Sequence, residues 1–322
     1  MDVKLKYYLN EETCENKTTS MEIVGNVGVG KNETQKVSYF GSETGFYKNS
    51  SLNTSGMLDD LEFFLSIVGK HILDFDIAET LKVYDTDDNA IGIISKNVAK
   101  ENENLVMFSE VTNAIVKNKN PEIEILYNQV IEMRKRTGQT FYHSNGQPEV
   151  RPVLEDEKDI MLAINMFPLS LDYTNINENE KEQIKKDYFK MIVFDLLINQ
   201  ADRNNSNYGI IRNTKTQETR FSTLFDNSTI HIPGIPENYY NLNGCLIDRK
   251  QMIICLLDNY PEYVSDIINP IVDNQESILS RTEKVATSVL TPKEQGWIMP
   301  LFRNNLETMK EVTLEKRNHP KV

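Results

Sequence analysis

Residues 191–198, Met-Ile-Val-Phe-Asp-Leu-Leu-Ile, are apolar on every face of a helix except at Asp195. The preceding turns, from Glu178, are amphipathic, with Ile184, Tyr188, Met191 and Ile192 on one side. A helix that begins polar and ends apolar all round cannot lie on a surface along its whole length. It has to run into a core, and it delivers whatever follows to a fixed place. Asp195 needs a partner there, because an unpaired buried carboxylate is expensive; it is expected to bond to the backbone of the next loop. A chain of 322 residues is long enough for two modest domains or one bilobal unit.

The segment that follows reads Asn199-Gln200-Ala201-Asp202-Arg203-Asn204-Asn205-Ser206-Asn207-Tyr208-Gly209, then a strand-like Ile210-Ile211-Arg212. A further strand, Phe221–Phe225, ends on Asp226. Phosphoryl transfer from a nucleotide to a hydroxyl needs few protein groups. One carboxylate accepts the proton of the attacking hydroxyl, and an amide oxygen and a second carboxylate hold Mg²⁺ against the phosphates. Asp202, Asn207 and Asp226 supply those three types in that order, and oxygen-only ligands suit Mg²⁺. An Asn-rich connection between a helix and a hairpin is also ordinary turn chemistry, so the spacing alone leaves both readings open.

Residues 196–209 resemble the catalytic loop of HipA-like serine/threonine kinases, most nearly the compact CtkA-type members. Their pattern is a Leu-rich helix, Asn-x-Asp-Arg-His, two residues, then Asn-aromatic-Gly. The resemblance implies a bilobal protein-kinase-like α+β fold with a small β-rich N-lobe and a larger α-helical C-lobe. It implies ATP and Mg²⁺ as cofactors and a protein substrate, with Asp202 as catalytic base, Asn207 as metal ligand and Asp226 as the second metal ligand. Two positions depart from the pattern: Asn204 stands in place of His, and Gln200 in place of Asn. Neither is the base or a metal ligand.

The first third of the chain carries the rest of such a site. Short strands are expected at Glu22–Val29, Lys36–Phe40 and Phe46–Lys48, then a helix over Met57–His71 and strands at Ile77–Val83 and Ala90–Ser95. Lys48 ends a strand just before the helix, where such kinases carry their phosphate-binding lysine. On that helix Leu58, Glu62, Leu65 and Gly69 fall on one stripe, so Glu62 points with apolar residues and is the expected partner of Lys48. Gly25-Asn26-Val27-Gly28-Val29-Gly30-Lys31-Asn32 nearly matches a Walker loop, but Asn32 replaces the Mg²⁺-binding hydroxyl and a strand pattern follows instead of a helix. A kinase-type glycine-rich hairpin fits better, with Gly25, Gly28 and Gly30 letting backbone N–H groups approach phosphates. Ile94 and Lys96 sit where the lobes would join, residues 1–96 and 97–322, the position at which the family reads adenine through its backbone. Beyond residue 97 the texture is helical, roughly 122–135, 156–165 and 178–198, with loops expected at 101–104 and 136–152 and a frayed tail from Glu315.

A formal charge of −13 disfavours charge-driven binding to nucleic acid or anionic membranes. Three scattered cysteines, odd in number and without metal spacing, argue against a disulfide framework or a zinc site and fit a reducing cytoplasm. No secretory h-region or apolar run of spanning length occurs, so no membrane segment is expected. The residues name neither the acceptor nor the oligomeric state. A small-molecule or lipid kinase of the same fold, or a nucleotide-binding pseudokinase, stays open beside the protein kinase.

Overall fold

The computed structural model describes residues 1–10, 13–26, 34–49, 57–117, 121–142, 147–201, 203–227 and 236–319. The chain opens with strands β1 (Asp2–Asn10), β2 (Thr13–Ser20), β3 (Glu22–Asn26), β4 (Thr34–Tyr39) and β5 (Glu43–Asn49). Helix α1 (Met57–Ile67) follows and ends in a π-helical turn over Val68–Ile72. Next come β6 (Thr80–Tyr84), β7 (Ala90–Lys96), β8 (Glu103–Met107), α2 (Phe108–Lys117) and α3 (Pro121–Thr137). Then β9 (Gly138–Tyr142) and β10 (Pro148–Leu154) precede α4 (Glu157–Leu171), α5 (Glu178–Ile198), β11 (Gly209–Asn213) and β12 (Thr219–Phe221). The remainder is β13 (Tyr239–Leu242), β14 (Cys245–Asp248), α6 (Arg249–Asn259), α7 (Pro261–Asp273), α8 (Gln275–Val289) and α9 (Pro292–Asn318). An antiparallel sheet in the N-terminal part and a helical C-terminal part make this the expected α+β class.

The described chain divides into two compact units. The first takes chain from three places: Met1–Lys100, Thr223–Ser228 and Gln275–Pro300. Its seven-stranded sheet has the order β2-β1-β6-β7-β5-β4-β3. Strands β2 and β3 lie at opposite edges, yet only Met21 separates them in the chain. The sheet therefore curls until its edges approach. Met21 exchanges backbone hydrogen bonds with Met1 (2.8 and 3.0 Å), and the Phe40 N–H donates to Oγ1 of Thr19 at 2.9 Å. Val3, Leu5, Met21, Val37, Tyr39, Tyr47, Leu81, Val83 and Ile94 fill the inside of the curl. Successive residues of a strand face opposite sides, so Tyr47 inside puts Lys48 on the other face. There α1 packs on β6 and β7. Lys82 fastens it to β6, pairing with Asp60 and lying 5.8 Å from the Phe63 ring centroid. Helix α8 packs on α1 and the π-helical turn, and Nη2 of Arg281 donates to the His71 carbonyl at 2.7 Å.

The second unit comprises Glu101–Ser222, Thr229–Asn274 and Leu301–Val322. Helix α5 is its axis. Ile184, Tyr188, Phe189 and every residue from Met191 to Ile198 are buried, as the sequence pattern requires. A three-stranded sheet, β12-β11-β8, and a four-stranded one, β13-β14-β10-β9, carry the chain before and after the loop that leaves α5. Phe108, Phe167, Tyr188, Tyr208 and Phe221 form one aromatic cluster, with centroids of neighbouring rings 4.9 to 6.4 Å apart.

Several local expectations are corrected. Two strands, β1 and β2, precede the first one foreseen. The loop expected at 136–152 is largely the β9–β10 hairpin, paired from Gly138↔Pro152 to Tyr142↔Pro148. Residues 103 and 104 open β8, and the tail stays helical to Asn318 because Val312 and Thr313 are buried and Lys316 pairs with Asp258 at 2.7 Å.

Strand β7 passes so close to β5 that a Cβ at Gly92 would run into the Lys48 carbonyl oxygen and the Tyr47 ring. Gly92→Val is therefore expected to destabilise the protein by about 1–3 kcal/mol through overpacking, read as a lower urea midpoint with an unchanged slope.

Candidate active site

In the first unit, Lys48 on β5 reaches across to α1 and to the returning segment 223–227. Its ammonium lies 2.7 Å from Oε2 of Glu62 and 3.0 Å from Oδ1 of Asp226. Glu62 is buried, its side chain 4% exposed, and the lysine side chain is 17% exposed. Burial pulls the Lys48 ammonium down, but the two facing carboxylates outweigh it and hold it above the ordinary lysine range. Burial pushes the Glu62 carboxyl up against the pull of Lys48, with Asp226 adding to the rise.

Asp226 reaches Lys48 because segment 223–227 is laced to residues 76–78. Leu224 forms a parallel bridge with Ile77, its N–H donates to the Asp76 carbonyl, and its own carbonyl accepts from Ala78. Oγ1 of Thr223 donates to Oδ2 of Asp76 at 2.9 Å. Asp226 has φ of 54°, the left-handed region, a strained conformation for a residue with a Cβ and one that clusters at functional positions.

In the second unit the loop after α5 is fixed by buried charge. Asn199 ends the helix in the left-handed conformation (φ 65°), and its N–H and that of Gln200 both donate to the Asp195 carbonyl. Asp195 and Arg203 are each fully buried and pair through two contacts, Nε to Oδ2 at 2.9 Å and Nη2 to Oδ1 at 2.8 Å. The Tyr240 hydroxyl donates to the same carboxylate at 3.1 Å. Burial pushes the Asp195 carboxyl up, opposed by Arg203 and Tyr240. The expected bond from the Asp195 carboxylate to loop backbone is thus corrected: its side chain takes a guanidinium, because a buried charge needs a counter-charge. Arg249, pulled down to about 10 by burial, stays cationic and donates to the carbonyls of Asp195 and Leu196 at 3.4 and 3.3 Å. Nδ2 of Asn305 caps Leu197 at 3.1 Å.

Asn207 lies in this pinned loop. Its N–H donates to the Asn204 carbonyl at 3.0 Å, and its carbonyl accepts from Nη1 of Arg203 at 3.1 Å. Tyr208, next in the chain, is stacked on Phe108 and donates to Oδ1 of Asn243 at 2.9 Å. Asn204, which stands where the resembling kinases have His, accepts the Ser206 N–H through its side-chain oxygen at 2.9 Å. That is an Asx turn, a local structural task.

Lys48, Glu62 and Asp226 are therefore brought together, while Asn207 belongs to the other unit. Asp202, Gly28 and Gly30 lie outside the described residues. Gly25 sits in β3 at a register shift, and a Cβ there would meet nothing closer than the Lys36 Cβ at 3.9 Å. Ile94 is paired on both sides, with Tyr47 and Leu81, and buries its side chain inside the curl. The Lys96 N–H donates to the Glu79 carbonyl at 2.9 Å, and its ammonium lies 3.4 Å from Glu43 and 3.3 Å from Glu79. The amides of these two residues are thus engaged within the sheet. Sequence reasoning included Arg203 in the segment without giving it a role and missed Tyr240 and Arg249; the available signal was one Asp in an apolar helix with an Arg eight residues on.

The amide oxygen of Asn207, in one unit, and the carboxylate of Asp226, in the other, are hard donors of the type Mg²⁺ takes. Among the described residues no group of three His, Cys, Asp or Glu is disposed to hold a metal, and no helix is long and apolar enough to cross a membrane.

Neither a scan against protein-family models nor a search of curated protein sequences finds a match. Among solved structures, the HipA, HipB and operator DNA complex of a Shewanella oneidensis MR-1 toxin–antitoxin system contains a chain of similar fold. It is 10% identical, with TM-score 0.51, and the match covers 94% of this chain and 69% of that one. The Helicobacter pylori proinflammatory kinase CtkA is similar at TM-score 0.48 and 15% identity, over 90% of this chain and 96% of that one. At these identities the likeness is one of fold alone: the chain has an α+β fold similar to that of the HipA complex chain.

Replacing Lys48 by Met leaves Glu62 buried without its cation. The folded-state pKa of Glu62, already above its unfolded value, then rises further, so stability is lost above that pKa and recovered as pH falls through it. Lys48→Met is expected to cost about 3–5 kcal/mol at pH 8 and clearly less at pH 5, measured by urea unfolding at both pH values.

Proposed function

We propose that this protein is an ATP- and Mg²⁺-dependent kinase that transfers the γ-phosphoryl group to a serine or threonine hydroxyl of a protein. The observation that carries this reading is the Lys48 ammonium held between Glu62 and Asp226 at 2.7 and 3.0 Å. A lysine kept charged by a buried glutamate is oriented to meet phosphate oxygens, and the adjacent carboxylate is a metal ligand in waiting. The HipA-type fold and the Asp-Arg-x-x-x-Asn segment support the same reading.

In the proposed reaction Asp202 accepts the proton of the acceptor hydroxyl. The oxygen forms a bond to the γ-phosphorus, the bond from that phosphorus to the β,γ-bridging oxygen breaks, and ADP leaves with the electron pair. Lys48 holds the phosphate oxygens, and Asn207 and Asp226 would hold Mg²⁺, which when bound neutralises charge developing on the β- and γ-oxygens. The three cysteines, none of them in a disulfide, fit work in the reducing cytoplasm.

Incubation with γ-labelled ATP, Mg²⁺ and a panel of protein acceptors should label Ser or Thr. Asp202→Asn is expected to lower transfer about 100- to 10,000-fold, with Lys48→Met and Asp226→Asn losing it comparably. Undiminished labelling by Asp202→Asn would remove that residue as base, and label found on a small molecule or lipid instead would move the acceptor.

A further inference from the structure

Resting on the kinase reading, we propose that Arg203 is a positioning residue: its guanidinium couples the buried Asp195 carboxylate to the Asn207 carbonyl and so sets the geometry of the proposed metal ligand. The observation is a single side chain with every arm of its fork assigned. Nε and Nη2 grip Asp195 at 2.9 and 2.8 Å, and Nη1 donates to the Asn207 carbonyl at 3.1 Å. The Arg203 carbonyl accepts from the Asn243 N–H at 3.0 Å, and the residue forms a parallel bridge with Leu242, so its backbone is held as firmly as its head group.

The arrangement spans the whole loop. At its start the Asp195 carbonyl accepts from Gln200, and at its end the Asp195 carboxylate reaches Asn207 through Arg203. One residue of α5 thus holds Gln200 directly and Asn207 through Arg203. Tyr240 and Arg249 hold Asp195 from the far side, through its carboxylate and its carbonyl. A guanidinium suits this task because its donors are planar and fixed relative to one another; an ammonium satisfies one partner at the expense of the other.

A pair serving packing alone makes a different prediction. Replacing a buried ion pair by apolar residues of similar volume is often neutral or stabilising, so such a replacement separates folding from positioning. The experiment compares wild type, the double variant Asp195→Leu/Arg203→Met, and Arg203→Lys. Three measurements are made on each: the thermal midpoint, kcat and KM for ATP hydrolysis and transfer, and Mn²⁺ affinity of the nucleotide-bound protein by electron paramagnetic resonance. The double variant should keep its thermal midpoint and its KM for ATP within about 3-fold, lose kcat at least about 100-fold, and bind Mn²⁺ several-fold more weakly. If it keeps kcat and Mn²⁺ affinity within 3-fold, the positioning role is overturned and the kinase reading survives. If the double variant does not fold, Arg203→Lys carries the test. It retains a cation for Asp195 but cannot also reach the Asn207 carbonyl, so the same split is expected, and unchanged kcat and Mn²⁺ affinity overturn the proposal. If wild type neither hydrolyses ATP nor transfers label, the kinase reading fails and this inference with it.

Discussion

Two opposite charges sealed from water, Asp195 and Arg203, organise the second unit of this protein. The pair is costly to form, since both ions leave water, and costly to break, since removing one partner strands the other at about 3–5 kcal/mol. What it secures is registration. The carboxylate takes Arg203 from the following loop and Tyr240 from β13, and the same residue's carbonyl takes Gln200 and Arg249. Three carbonyls in the last turn of α5, where a helix end leaves groups without intrahelical partners, are occupied: those of Asp195 and Leu196 by Arg249 and that of Leu197 by the Asn305 amide. The Asn-rich loop is thus fixed by long-range contacts, although its own composition is that of a turn.

In the first unit the corresponding constraint is strand parity. Tyr47 belongs to the interior of the curled sheet, so Lys48 must face α1, and Glu62 on that helix is the buried acid it meets. The helix does not float: Lys82 ties it to β6, and Arg281 from α8 holds the carbonyl of His71 just beyond it. The third member, Asp226, arrives from a distant part of the chain and is held by the bridge between Leu224 and Ile77. Two carboxylates, one 14 residues and one 178 residues along the chain, therefore converge on one ammonium.

Much of this was legible. The burial of 191–198 follows from an apolar run with no polar face, and the bounds of α5, Glu178–Ile198, match the periodicity. Glu62 stood out as an acid on an apolar stripe. Other features gave weaker local signals. Strand β2, Thr13–Ser20, is almost wholly polar and exists because β1 pairs with it along its length. In β1 the alternation Val3, Lys4, Leu5, Lys6 was a usable signal that the charges obscured. The hairpin of β9 and β10 read as a loop because Pro148 and Pro152 disfavour a central strand; they are tolerated because β10 pairs with β9 there and with β14 only at Val153 and Leu154.

The sequence by itself determined the fold class, the one helix that had to be buried, and the types of residue available for phosphoryl chemistry, since these rest on periodicity and side-chain chemistry. Only the tertiary structure decided which charge neutralises Asp195, that Asp226 faces Lys48, and that the amides of Ile94 and Lys96 are spent inside the sheet. Those outcomes depend on which groups become neighbours when water is excluded. Hydrogen-bond and charge partners in a buried setting are chosen by distance in space, and a linear pattern does not carry that distance.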